Sequence, residues 1–101
     1  MDEHSEEIAK IQTAVWLADK LARFCREYLN AERDGKWRET GRIRSEIDKL
    51  VYSRDFSDAV ELVGADYFYP DILRRILAML TYNEADTIGE AVRMLGGEPA
   101  V

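Results

Sequence analysis

Apolar positions recur along this chain at helical rather than strand spacing. From Ser5 to Arg33, the residues Ile8, Ile11, Val15, Ala18, Ala22, Cys25 and Leu29 are separated by alternating steps of three and four. This is a heptad seam held for three heptads. A second row lies beside it: Ala14, Leu17, Leu21, Phe24 and Tyr28. On a helical wheel the two rows merge into an arc close to half the circumference, wide enough for two neighbouring helices. Ser5 is placed to cap this helix, with Glu6 and Glu7 complementing the dipole of its first turn. Asp34-Gly35 ends it, since Gly accepts the left-handed conformation of a helix stop.

The pattern predicts four further helices. Ile43, Ile47, Leu50 and Val51 stripe a helix over 36–53, with Trp37 on nearly the same side. Its connection to the first helix is two or three residues, which makes the pair an antiparallel hairpin. Gly41 weakens this helix by about 1 kcal/mol relative to Ala and leaves room for a close neighbour. Phe56, Ala59, Val60 and Val63 define a short helix over 56–63, with Asp55 or Ser57 as its cap and Gly64 as its stop. After the loop Ala65–Tyr69, Pro70 fits the first position of a helix over 70–82 that buries Leu73, Ile76, Leu77 and Leu80. Thr87-Ile88-Gly89-Glu90 reads as a capping box. It opens a last helix that buries Ile88, Ala91, Val92 and Leu95 and stops at Gly96-Gly97. No alternating run exceeds three or four residues, so no sheet is expected. The fold class is all-α: a single helical domain over 1–101, with a long hairpin at 1–54 and a cap of three short helices at 55–101.

Length adds a constraint. A 29-residue helix is about 43 Å long, whereas a compact chain of this size has a diameter of roughly 34 Å. The first helix must bend or project. Projection favours a homodimer through the hairpin, with Ile8, Ile11, Val15, Ala18, Ala22, Cys25 and Leu29 as the self-association seam.

The last quarter carries a resemblance. The stretch Ile72–Leu80 followed by Glu84-Ala85-Asp86-Thr87-Ile88-Gly89-Glu90-Ala91 resembles a C-terminal phrase of uncharacterised bacterial coiled-coil proteins, in which a helix leads into an "ADT-x-x-EA" helix start. Ala85, Asp86, Thr87, Glu90 and Ala91 match. The Gly-Arg pair that usually precedes is Asn83-Glu84 here, and the usual Asn-Leu-Tyr ending is Arg93-Met94-Leu95. The resemblance covers about a quarter of the chain. It implies a bacterial or phage origin and a helical context, and no activity.

Composition narrows the function classes. The chain of 101 residues is 47% hydrophobic and has a net charge of -6. A core is expected, and a surface that binds nucleic acid throughout is not. The charge is uneven: -3 over 1–35, +3 over 36–54 and -6 over 55–101. A single Cys excludes an internal disulfide and a cysteine-based zinc site. The single His, His4, falls in a stretch expected to fray. No metal, cofactor or catalytic set is expected, and the protein reads as a non-enzyme. Asp55, Asp58 and Glu61 have ligand-like spacing, but no Glu-rich helix interior answers them. Ser53 and Ser57 lack a His to activate them. The acidic start, MDEHSEE, is unlike the basic start of a signal peptide, and no apolar run approaches the ~20 residues of a membrane span. A lone thiol fits the cytoplasm.

Three surfaces are candidates for function. Trp16 falls opposite the apolar arc, among Gln12, Thr13, Asp19, Lys20 and Arg23, as an interface anchor would. Tyr67, Phe68 and Tyr69 either stack on a partner or plug the end of the bundle. The carboxylates Asp55, Asp58 and Glu61 could face a basic partner, as in small acidic phage inhibitors. A basic block, Lys36, Trp37, Arg38, Arg42 and Arg44, could meet phosphates. Interruption by Glu39, Glu46 and Asp48, with Arg42–Glu46 as an i,i+4 pair, makes nucleic acid the least favoured partner. The leading expectation is a protein–protein interaction or assembly module that pairs with itself and with an unidentified protein.

Overall fold

The computed structural model describes residues 3–96, and most of them are helical. Five helices follow one another: α1 (Glu3–Arg33), α2 (Trp37–Val51), α3 (Arg54–Val63), α4 (Pro70–Thr81) and α5 (Ile88–Leu95), with a 3-10 turn at Ala65–Tyr67. No strand occurs among the described residues. The expected all-α bundle is what forms. Gly97, expected in the stop of α5, lies outside the described residues.

Local chemistry explains most of the boundaries. Gly35 takes φ 71° and turns the chain from α1 into α2. Pro70 occupies the first turn of α4, where its missing N–H costs nothing. Two starts differ from expectation. The helix α1 is already under way at Glu3, so Ser5 sits inside it rather than at its cap. The cap of α3 is Ser53, not Asp55 or Ser57: its Oγ accepts from the Phe56 N–H at 3.2 Å and donates to the Leu50 carbonyl at 2.7 Å. One hydroxyl thus closes α2 and opens α3, which fixes the angle between them.

The core sits at one end of α1. Ile11, Ala14, Leu17 and Ala18 of α1 join Leu50 of α2, Ala59 and Val63 of α3, Leu73, Ile76 and Leu80 of α4, and Ala85, Ile88 and Ala91 around α5. Phe56 and Phe68 meet edge to face at 5.1 Å beside it, a preferred aromatic geometry. Farther along the hairpin, Ala31 and Ile43 are buried, but they stand apart from this cluster. A helix of 31 residues is about 46 Å long, and the molecule measures 48 × 36 × 19 Å. The radius of gyration, 16.0 Å, exceeds the ~13 Å of a compact chain of this size. Projection of α1, one of the two outcomes that its length allowed, is the one observed.

The first residues of α1 are not frayed. His4 places its ring nitrogens 2.5 Å from the Leu80 carbonyl and 3.3 Å from the Asp86 carbonyl. Glu7 accepts the Ile88 N–H at 3.1 Å. These contacts tie the start of α1 to the turn between α4 and α5. That turn is built by Asn83 in the left-handed region (φ 58°) and by the capping box. Thr87 Oγ1 accepts from the Glu90 N–H at 3.1 Å, and Glu90 Oε1 accepts from the Asp86 N–H at 2.8 Å. Ala85 and Ala91 are buried. Ala85, Thr87, Glu90 and Ala91 of the "ADT-x-x-EA" phrase thus have side-chain roles in this turn, and Asp86 takes part through its backbone.

Candidate interaction surfaces

The expected self-association seam divides in two. Ile11 and Ala18 are buried in the chain's own core, and Ile8 and Val15 pack against it. Ile11 and Ala18 leave no surface for a second copy, and Ile8 and Val15 leave only part of theirs. The cause is α4, whose Leu73, Ile76 and Leu80 fill the same core as this part of α1. Ala22 is half-buried. Beyond it the seam is uncovered: Cys25 is exposed, not a buried apolar residue, and Leu29 is 62% exposed.

Trp16 is exposed, as its place on the wheel predicted. It lines a groove with Lys20, Phe24, Glu46, Lys49 and Asp55. The Lys20 ammonium lies 4.7 Å from the indole centroid, a cation–π contact that holds the ring against α1.

The aromatic triplet is split by the 3-10 turn. Tyr67 and Phe68 pack against the core, and only Tyr69 is exposed. The core role weighed for this cluster holds for two of its three rings. Its turn is short enough that neighbouring side chains point to different sides.

The acidic trio does not converge. Asp55 and Asp58 border a hollow of about 380 Å³ with Lys10, Thr13, Ala59 and Leu62. Glu61 borders a different hollow, with Val51, Phe56 and Val60. Two steps of three residues carry Glu61 about a third of a turn away from Asp55. Among the described residues, no three His, Cys, Asp or Glu side chains gather as a metal-ligand set.

The basic block of α2 is partly neutralised along one flank. Arg42 pairs with Glu39 at 3.5 Å, not with Glu46 as its spacing suggested, and Lys49 takes Glu46 at 3.7 Å. Lys36 lies in a groove with Glu27, Asp34 and Glu39. Arg38 lies 5.7 Å from the Trp37 ring centroid. Arg44 and Asp48 are exposed and make no ion pair among the described residues.

Sequence reasoning missed how α2 presents its aromatics. The spacing puts Trp37 on nearly the same side as the apolar stripe, yet it is 74% exposed, and Tyr52, where α2 ends, is 85% exposed. They are the two most exposed large apolar side chains among the described residues, one at each end of α2. The spacing held the signal, because Trp37 and Tyr52 are six and nine residues from the buried Ile43, which turns both away from α1. Comparison with models of known families, with curated proteins and with solved structures finds no match to this chain, so its functional reading rests on its own surfaces.

Proposed function

We propose that the protein is a non-enzymatic interaction and assembly module that acts as a homodimer through its N-terminal helical hairpin. One observation carries this reading. The outer part of the hairpin leaves the core and is held by the satellite pair Ala31 and Ile43, while Leu29 and Trp37 stay open to water. Covering an exposed Leu or aromatic side chain is worth roughly 1.5–3 kcal/mol when burial is complete. Among the described residues, no third element of the chain's own is seen to supply that cover. Trp16 and Tyr69 remain as contacts for a further protein partner, and a cytoplasmic location suits the exposed thiol of Cys25.

The test is absolute mass by light scattering after size exclusion, over a wide concentration range. The expected result is twice the chain mass at high concentration, with partner capture or self-association weakened in Trp16→Ala. A monomer at every concentration, with Trp16→Ala unchanged, would sink the reading. A second reading has its own support: Asp55, Asp58, Glu61 and Asp66 are exposed and make no ion pair among the described residues. They would serve an acidic inhibitor, of the kind that phages encode, at a basic site of another macromolecule. That reading requires salt-sensitive binding to a basic protein, lost when Asp55, Asp58 and Glu61 are reversed in charge.

A further inference from the structure

The outward face of α2 is self-complementary, and we infer that it is the contact between the two copies: α2 packs antiparallel against α2 of a second chain, about a two-fold axis beside Arg44 and Ser45. The inference rests on the homodimer reading and adds to it the helix, the register and the residues.

Four observations meet on this face. The positions Trp37, Gly41, Arg44, Asp48 and Tyr52 follow one another by four, three, four and four residues, so they form one strip along the helix. All five are exposed. The ends of the strip are the two most exposed large apolar side chains of the described residues. Gly41 stands in the interior of the helix, and a Cβ placed there would meet nothing within 4 Å. Its own chain therefore gives no reason for a glycine, whereas a second helix crossing at that point would. Arg44 and Asp48 are unpaired, although the neighbouring Arg42 and Lys49 both have carboxylate partners.

Orientation follows from the charges. Parallel α2 helices would set Arg44 against Arg44 and Asp48 against Asp48. Antiparallel helices with the axis between 44 and 45 set Trp37 opposite Tyr52, Gly41 opposite Asp48, and Arg44 one turn from the Asp48 of the other copy. A two-fold axis makes each of these contacts twice. The same register brings Lys36 opposite Ser53, close to Asp55 at the start of the other copy's α3. Two Trp37 and two Tyr52 rings, at about 150–250 Å² each, supply about 600–1,000 Å² of buried surface. With the rest of the strip this reaches the lower end of specific interfaces, so the dimer should dissociate on dilution.

The experiment uses the full chain with Cys25→Ser as background. Ser45→Cys is placed beside the axis, and Ser57→Cys, on the exposed side of α3, is the control. Mild oxidation should link Ser45→Cys chains in pairs and leave Ser57→Cys chains single. In parallel, Arg44→Asp should raise the dimer dissociation constant at least tenfold, and Arg44→Asp with Asp48→Arg should restore most of it. Circular dichroism confirms that each variant is folded. If the mass stays dimeric while Ser45→Cys fails to link and Arg44→Asp changes nothing, the α2 pairing is wrong and the hairpin dimer stands on another face. If the parent chain is monomeric throughout, both readings fall. Monomers that instead hold a single-stranded oligonucleotide through Trp37 and Arg44 would overturn the pairing in favour of nucleic acid.

Discussion

Glu7 is expected to stabilise a helix that lies 81 residues away in sequence. The helix α5 has eight residues, well below the ~12–15 that an isolated helix needs to be even marginal in water. The N–H groups of its first turn have no partner within the helix. Thr87 takes the Glu90 N–H, and Glu7 Oε1 takes the Ile88 N–H at 3.1 Å from α1. A hydrogen bond to a charged group contributes about 1.5–3 kcal/mol net. Glu7 is half-buried, which moves the figure to the low end. Glu7→Ala should therefore cost about 1.5 kcal/mol. Glu7→Gln keeps an acceptor oxygen and loses the charge at the helix N-terminus, a loss of about 0.3–1 kcal/mol. For a chain of this size each kcal/mol moves the melting temperature by roughly 4–8 °C. Thermal unfolding followed by circular dichroism should rank parent, Glu7→Gln and Glu7→Ala in that order of decreasing stability. Protein concentration must be held fixed, because any self-association would raise apparent stability by mass action. Amide exchange adds a local readout: the Ile88 N–H should exchange faster in Glu7→Ala. A Glu7→Ala variant that melts within about 1 °C of the parent, with Ile88 protection intact, would refute the argument.

Three other outcomes follow from the same structure. Ile76 is fully buried, and Ile76→Ala should cost about 2–5 kcal/mol in urea unfolding; a loss under about 1 kcal/mol would mean that the core is not packed as described. Gly41→Ala should raise the stability of the dilute monomer by up to about 1 kcal/mol, since a Cβ there meets nothing within 4 Å, and should weaken the dimer at high concentration. Cys25 is exposed, so a thiol reagent should modify it fully under native conditions; modification only after unfolding would place it inside the molecule.

The helices were legible because each has a chemical marker at an end. Gly35, Pro70 and the Thr87–Glu90 box all perform as their residue types require. The cap of α3 was harder, because Ser53, Asp55 and Ser57 are all good capping residues, and only the packing of α2 on α3 chooses among them. The pairing of Arg42 could not be read for a similar reason: Glu39 and Glu46 lie three and four residues away, and both spacings bring side chains together. The seam divides for a more instructive reason. Periodicity shows which side of a helix is apolar, not which neighbour covers it. The neighbour here is α4, which has twelve residues against the thirty-one of α1, so Ile11 is covered and Leu29 is not. The roles of His4 and Glu7 left no sequence signal, because each reaches backbone atoms more than 75 residues away.

The length mismatch between α1 and its neighbours is also what separates stability from recognition. At about 1.5 Å per residue, the twelve residues of α4 cover about 18 Å of a 46 Å helix. Ala59 and Val63 of α3 reach the same end of α1, since they share its core cluster. Among the described residues the remaining length packs chiefly on α2, and one helix can cover only one side of another. An arc of nearly half the wheel is then half used, and Cys25 and Leu29 are the unused half. On α2 the same geometry leaves the strip from Trp37 to Tyr52 facing outward. Two exposed rings on one helix face, with a glycine and an unpaired Arg–Asp couple between them, fit a surface shaped by the copy that covers it.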